Sequence, residues 1–554
     1  MLNPKEEDLV ALAETCLATA TQIKEYLAAN NHPAMTFGPE GPAFFPAATP
    51  DIQHARLDLR AAAMRLYQLA SGPDEILTWH AYHCAHDLNA FRYVSHYNVA
   101  SAVPTEPNTS ISYIDIATRL GLDPSQLRQM LRQLMAIRVF REPYPGMVSH
   151  TSSSKLLTHW GVRAFNSFIA EDTFPAVARQ IEALEKWGHG RPEPNRAALN
   201  LFYETDLPMY EYYETEGPEL EGAAKDAKLE PQEETESRET ETDAPTRDNH
   251  EQITKTEKTA NSSSPSPATK ITQDSSQTQS QSQLRRTRFS NLMTYMSTNP
   301  IMSNSHVTAG FPWSSLPPNS VVVDVAGNVG HTAVAIARAT HPSVRVIVQD
   351  LPKIIARATN PETSVLPEDL LRGEAEYKSE SESLSLSQSE SASRPRISFM
   401  PHNFYLPQPI HSAAVYFLRM ILHDYSDPWA LKILRAIVPA MGPDSKIVIM
   451  DQVMPDTPGM VPDPVERMMR TTDLQMMMLT NAKERDRGEW EDLIRRAGEV
   501  VEQDRKRRLA ILNIRTPVGS TMSLIEIGFV DDDGKHGGGD GKQYKHQHQR
   551  RNDG

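Results

Sequence analysis

Val321-Val322-Val323-Asp324-Val325 runs into Ala326-Gly327-Asn328-Val329-Gly330, and the apolar run 344–348 ends at Gln349-Asp350-Leu351-Pro352. Strand, glycine turn, helix, strand and acid is the order of a nucleotide-binding βαβ unit. Glycines at 327 and 330 let the backbone approach a ligand closely. A carboxylate at the end of the second strand, Asp350, can accept from both hydroxyls of a ribose. The turn and the acid do not by themselves separate a dinucleotide from S-adenosylmethionine (SAM). Asp324, inside the first strand, favours SAM: a carboxylate can meet a cationic amino-acid group, directly or through water, whereas beside a pyrophosphate it would repel.

The elements that must carry these residues read as an open parallel sheet. A helix is predicted over 331–340, with Ala333, Val334, Ile336 and Ala337 on its apolar face. Further short apolar runs at 397–400, 414–418 and 446–450 predict strands. Ligands of such sheets sit beyond the carboxyl ends of the strands. Here those ends lead into His402-Asn403-Phe404, Arg419–Asp424 and Asp451. A helix over 465–480 carries Met468, Met469, Met476, Met477 and Met478, and another, near 289–296, carries Phe289, Met293 and Met296. Thioethers adapt to a flat aromatic guest, which makes Met293 and Met476 acceptor-pocket candidates, although the same spacing also suits a core.

The N-terminal part is helical. Leu9, Leu12, Ala13, Cys16, Leu17, Ala20, Ile23 and Leu27 recur at helical spacing, and a second helix follows Pro50. In Ile111–Glu142 one helix carries Ile114, Ile116, Ala117 and Leu120 and stops at Gly121. Asp123-Pro124 then caps and starts another, with Leu127, Met130, Leu131, Leu134 and Met135. Val139-Phe140 and Gly146-Met147-Val148 read as a short wing, which completes a winged helix-turn-helix pattern. Such a module either reads DNA, through Arg128 and Arg132 on its second helix, or serves dimerisation and covers a substrate. The net charge of −15 speaks against nucleic acid and against anionic membrane surfaces as partners.

With 554 residues the chain is long enough for more than one domain. Its mean hydropathy of −0.49 and 39% hydrophobic residues mean that the cores are concentrated in parts of it. Residues 214–251 hold 14 acidic and 4 basic side chains. The stretch that follows is Ser, Thr, Gln, Lys and Pro, so 217–284 is expected to be a disordered insert, as are a Ser/Glu-rich insert at 360–395 and a tail at 531–554. No apolar run is long enough for a transmembrane helix and the N-terminus lacks a secretory pattern. The two cysteines, Cys16 and Cys84, exclude a disulfide framework and a cysteine zinc site. The expectation is a cytoplasmic protein with no metal.

The segment 400–455, with the motifs at 322–331, 349–352 and 479–498, closely resembles the SAM-dependent O-methyltransferases of the caffeic-acid type. It is most similar to their fungal branch, which methylates phenolic or polyketide hydroxyls in secondary metabolism. The winged-helix segment and Ser149–Leu157 resemble the family's N-terminal dimerisation domain. The resemblance implies a Rossmann-like doubly wound α/β sheet over 285–530, a helical winged-helix dimerisation domain over 1–160, connecting helices over 161–216, and a homodimer. It also implies residue roles: Asp350 and its neighbour Leu351 at the SAM ribose, Asn403 and Phe404 beside the adenine, and Gly327 and neighbours, including Gly330, beneath the methionine part. Arg419 falls where a basic residue lies near the cofactor. His423 becomes the general base, flanked by Asp451 and Glu484. Ala326 and Asn328 stand where the family's turn usually has glycine, and Asn403 where an aspartate is usual. These departures make a non-catalytic regulator that keeps the fold the alternative to an enzyme.

Overall fold

Runs of β-branched residues form the centre of a seven-stranded sheet. The computed structural model describes residues 8–214, 275–298, 302–360, 366–367, 370, 395–501 and 507–531. In it β4 (Val321–Val325), β5 (Arg345–Asp350), β6 (Ile397–Pro401), β7 (Val415–Arg419) and β8 (Lys446–Asp451) are parallel. β11 (Arg507–Arg515) and β12 (Ser523–Asp531) complete the sheet as an antiparallel pair beside β8. The order is β11-β12-β8-β7-β4-β5-β6. The chain runs from β4 outward to β6, then returns to the other side of β4 for β7 and β8. A topological switch point therefore lies between β4 and β7, where such sheets bind ligands. Helices cover both faces. One core layer is built on Val323, Tyr416, Leu434 and Ile447, the other on Val322, Ile336, Phe417 and Val448.

In the N-terminal part, Ser112 caps the helix Tyr113–Leu120 by accepting from Asp115 N at 3.0 Å, and Gly121, with φ 66°, ends it. Asp123 caps Pro124–Ala136, accepting from Gln126 N at 2.8 Å. Ile116, Leu127, Leu131 and Leu134 are fully buried between these helices. The wing pairs β1 (Ile111–Ser112), β3 (Met147–Ser149) and β2 (Arg141–Tyr144). Val139 and Phe140 are buried ahead of β2 instead of belonging to the wing. Arg132, a candidate for DNA contact, forks onto Glu142 of the wing, with Nε and Nη2 each 2.9 Å from a carboxylate oxygen. The helix that begins at Pro50 runs to His96 through a break at Gly72-Pro73, where glycine takes φ 79°.

The described residues up to Tyr212 and from Arg288 onward form one unit, and Tyr213–Thr287 another. Residues 217–274, nearly all of the 360–395 insert, and 532–554, expected to lack order, lie outside the described residues. A helix over Ser275–Thr298 does cover the last part of the first expected insert; Gln and Arg around 281–288 are good helix formers. No described helix is long and apolar enough to cross a membrane.

Candidate active site

The turn after β4 holds three residues in the left-handed region: Ala326 at φ 57°, Asn328 at φ 54° and Gly330 at φ 89°. Gly327 N donates to Gln349 O at 3.1 Å, which ties the turn to β5. A Cβ on Gly327 would lie 2.6 Å from Asp324 Oδ2 and 2.9 Å from Val348, so only glycine passes over the acid. Asp324 is 2% exposed and its Oδ2 has no hydrogen-bond partner among the described residues. Burial, with Asp350 adding to it and Arg419 opposing, pushes this carboxyl up to about 7. An orphaned carboxylate oxygen under a glycine turn is a receptor for a cationic donor.

At the end of β5, Asp350 accepts from Leu351 N through Oδ1 at 2.8 Å and from Asn328 N through Oδ2 at 2.9 Å. His402 N donates to Asp350 O at 2.8 Å, bringing 402–404 alongside. Asn403 is exposed and its amide oxygen already accepts from Tyr405 N at 3.0 Å. Phe404 stands edge-on to Tyr405 and Tyr425, with ring centroids 4.8 and 5.7 Å apart. Arg419, at the end of β7, donates through Nη2 to Met302 O and through Nη1 to Thr332 Oγ1 at 3.5 Å, and its Nε has no hydrogen-bond partner among the described residues.

β7 leads through Met420, at φ 53°, into a tight turn over Leu422–Asp424. His423 is buried there, with Nδ1 2.8 Å from Glu484 Oε1. Its other nitrogen, Nε2, lies 3.7 Å from Asp424 Oδ1, beyond hydrogen-bonding distance. Glu484 is delivered by a two-residue parallel pairing of β10 (Arg485–Asp486) with β9 (Val453–Met454), and Asp473 Oδ1 accepts from Glu484 N at 2.9 Å. Asp451, at the end of β8, is fully buried, and neither carboxylate oxygen has a hydrogen-bond partner among the described residues. Of the two acids that sequence places at this edge, Glu484 therefore holds the ring and Asp451 does not. Burial alone would depress the His423 imidazole; the carboxylates of Glu484, Asp424 and Asp451 overcome it and hold the ring well above its ordinary value. Burial pushes Asp451 up to about 7, with His423 opposing and Glu484 and Asp424 adding.

Two residues near this turn had no role in the sequence. Tyr210 donates to Asp424 Oδ2 at 2.5 Å, from a helix far away in the chain. Arg485 reaches the backbone on both sides of His423; its sequence signal is its place next to Glu484 in the segment 479–498 that carries the resemblance. The candidate pocket residues are less direct. Met476 is buried on Asp463–Thr480, one turn beyond Asp473. Met293 is half-buried, one turn beyond Phe289, whose ring meets Tyr210 at 5.9 Å and Phe168 at 6.0 Å. Neither methionine has a described contact with His423. A cavity of about 640 Å³ opens beside Ser412, Gly442 and Arg507, where β7 and β8 begin, at the far end of the sheet from this chemistry.

Over most of its length the chain is similar to known O-methyltransferases. The O-methyltransferase domain family matches residues 385–499. The O-methyltransferase aurJ of Gibberella zeae is 28% identical over 528 residues, covering 95% of this chain and 98% of that protein. The O-methyltransferase pgmB of Aspergillus terreus is 29% identical over 524 residues, covering 94% and 95%. Among solved structures, OxaC aligns with a TM-score of 0.60 at 17% identity, covering 94% of this chain and 98% of its own. LepI complexed with SAM aligns with a TM-score of 0.56 at 20% identity, covering 94% and 100%.

Proposed function

We propose that the chain is a SAM-dependent O-methyltransferase of fungal secondary metabolism and that it methylates a phenolic, polyketide-type hydroxyl with His423 as general base. The observation that carries this reading is the His423 Nδ1–Glu484 Oε1 contact of 2.8 Å, which leaves Nε2 as the nitrogen open to a proton. When bound, SAM supplies a methyl group on a positively charged sulfur that leaves as a neutral thioether. The residues present fit it. Asp324, with its bare Oδ2, would take the amino group, and Gly327 and Gly330 would pass beneath the methionine part. Asp350 and Leu351 would hold the ribose, Asn403 and Phe404 would flank the adenine, and Arg419 would stand near the cofactor's carboxylate.

The chain's own chemistry is to prepare the acceptor. A phenol with pKa ~10 is mostly protonated at neutral pH. His423 Nε2 takes the hydroxyl proton as the oxygen becomes a nucleophile, and the Glu484 carboxylate fixes the tautomer and stabilises the imidazolium that forms. Phe289, Tyr210 and Phe168, with Met293 and Met476, would line the acceptor side. The test is single-turnover methyl transfer to a panel of phenols, wild type against His423→Ala, with SAM affinity measured by calorimetry. The variant should lose ~10²–10⁴ in rate and keep its SAM affinity. Equal rates would remove the base role.

The same reading includes a cytoplasmic homodimer assembled through the N-terminal part. In its support, every residue from Trp79 to His86 is exposed, and the adjoining Leu77 is 82% exposed. A helix exposed all round with Leu77, Trp79 and Tyr82 on it calls for a partner. Light scattering should give a dimer for the full chain and a monomer for Leu77→Glu; a variant that stays dimeric would place the interface elsewhere.

A further inference from the structure

We infer that Arg485 is a positioning residue for the reaction: its guanidinium fixes the backbone of the turn that carries His423, and so the direction in which Nε2 faces the acceptor hydroxyl. The inference rests on the base role proposed for His423. Arg485 is fully buried. Its Nη1 donates to Leu422 O at 2.8 Å and its Nη2 to Tyr425 O at 2.7 Å. One fork thus spans the turn from the residue before His423 to the second residue after it. Nε donates to Asp427 Oδ1 at 2.9 Å, which supplies the counter-charge at the start of the following helix. The guanidinium lies 5.2 Å from the Trp490 ring, so its plane is held as well as its ends.

A single turn of this kind has no helix to carry on its hydrogen-bond pattern: Leu422 O accepts from Tyr425 N at 3.3 Å within the turn, and Arg485 supplies a second donor there and a donor to Tyr425 O. A planar fork can satisfy two carbonyls at a fixed spacing; a lysine ammonium is a point donor and cannot reproduce that geometry. The neighbouring residue completes the clasp. Glu484 sets the rotation of the imidazole through Nδ1, while Arg485 sets the position of the backbone from which the ring hangs. The two are consecutive in the chain, and β9–β10 pairing anchors both to the end of β8. Proton transfer requires the ring nitrogen within ~2.6–3.2 Å of the hydroxyl, and a misplacement of ~1 Å can cost about 10²-fold.

The test is a double-mutant cycle on the full chain with His423→Ala, Arg485→Lys and the double variant, read by single-turnover methyl transfer. Arg485→Lys should slow transfer roughly 10–100-fold, more for weakly acidic phenols than for acidic ones, with SAM affinity by calorimetry within about twofold of wild type. The double variant should be no slower than His423→Ala alone, because Arg485 acts through the histidine. Additive losses, or a loss equal for all phenols, would make Arg485 merely structural and overturn the inference. If His423→Ala turns over like wild type, it is the base role that fails, and the single-variant arm shows this by itself. Should Arg485→Lys not fold, Asp427→Asn loosens the fork while leaving its two carbonyl bonds, and the same non-additivity with a smaller loss is expected. As a readout independent of turnover, the His423 ring resonance in protein labelled with ¹³C-histidine should shift in the folded variant. An unchanged resonance would also overturn the inference.

Discussion

Glu484 Oε1 and His423 Nδ1 lie 2.8 Å apart with both side chains out of water, while the equally buried Asp451 makes no hydrogen bond to the ring. The pairing divides the labour between two acids that share one sheet edge. A carboxylate on Nδ1 holds the imidazole in the tautomer that exposes Nε2 as acceptor. Asp451 acts on the ring only through its charge, and burial resists that charge.

Glu484→Gln should therefore be the more damaging of two isosteric changes. The amide can keep a hydrogen bond to the ring but cannot neutralise the imidazolium formed during transfer. A loss of about 10²-fold or more in single-turnover rate is expected, on the scale of a lost acid–base contribution. Asp451→Asn should lose several-fold less. Measuring both variants on one phenol decides the matter, and equal losses would contradict the division of roles.

The pH dependence follows from the same cluster. In the proposed base role His423 would have to be neutral, and Glu484, Asp424 and Asp451, overcoming burial, hold it well above its ordinary value. The rate should rise with pH through an apparent value above 6.5. Removing the nearest carboxylate in Glu484→Gln should move that rising limb to lower pH while reducing the plateau. For stability the sign is opposite. A histidine whose folded value is raised contributes fully below ~6.5, and that contribution fades as pH rises through the folded value. The melting temperature of wild type should exceed that of Glu484→Gln most at acidic pH, with the gap closing as pH rises. A gap that widens with pH would show that the ring is neutral in the folded protein.

Asp324 predicts a conflict between stability and binding. Burial raises this carboxyl to about 7, with Asp350 adding and Arg419 opposing. Between its unfolded value of ~3.9 and its raised folded value the folded protein binds more protons than the unfolded, so rising pH removes stability until the full penalty is reached. Asparagine carries no such penalty. Asp324→Asn should melt higher than wild type at pH 8 without SAM and close to it near pH 4. Its SAM affinity should fall by about tenfold or more, as for a lost charged hydrogen bond. Thermal melts with and without SAM test both halves, and undiminished SAM binding would remove Asp324 from the site.

How much of this was legible varies with the range of the cause. The parallel strands were readable to within about two residues, because runs such as Val321–Val325 are short, β-branched and bounded by turn residues. The caps at Gly121 and Asp123-Pro124 were equally local. The choice of Glu484 over Asp451 was not readable, since it depends on the β9–β10 pairing that carries Glu484 to the ring. Arg485 sits in a charge-rich run, Lys483 to Arg487, which by composition alone looks like a solvated face. Tyr210 reaches Asp424 across 214 positions of sequence, and no local pattern announces such a contact.

The turn after β4 holds non-glycine residues in a left-handed backbone conformation. Ala326 takes φ 57° and Asn328 φ 54°. A Cβ in the left-handed region costs about 1–2 kcal/mol, less for asparagine, whose short polar side chain bonds locally; here Asn328 Oδ1 accepts from Arg357 Nη2 at 3.2 Å. Glycine at 326 would remove that cost but gain unfolded-state freedom worth about 0.5–1 kcal/mol. The net for Ala326→Gly should be a small gain, on the order of 0.5–1 kcal/mol, with SAM binding unchanged or tighter. Asn328→Gly should gain less, because it gives up the Arg357 contact. Gly327→Ala is the opposite case. Its Cβ would meet Asp324 Oδ2 at 2.6 Å and Val348 at 2.9 Å. Both neighbours are buried, so the change should cost about 1–3 kcal/mol, as overpacking does, and displace the carboxylate assigned to the SAM amino group. Thermal melts and SAM calorimetry on the three variants give the ranking. An Ala326→Gly protein that melts lower and binds SAM more weakly than wild type would show that the methyl group at 326 is a packing contact and not a source of strain.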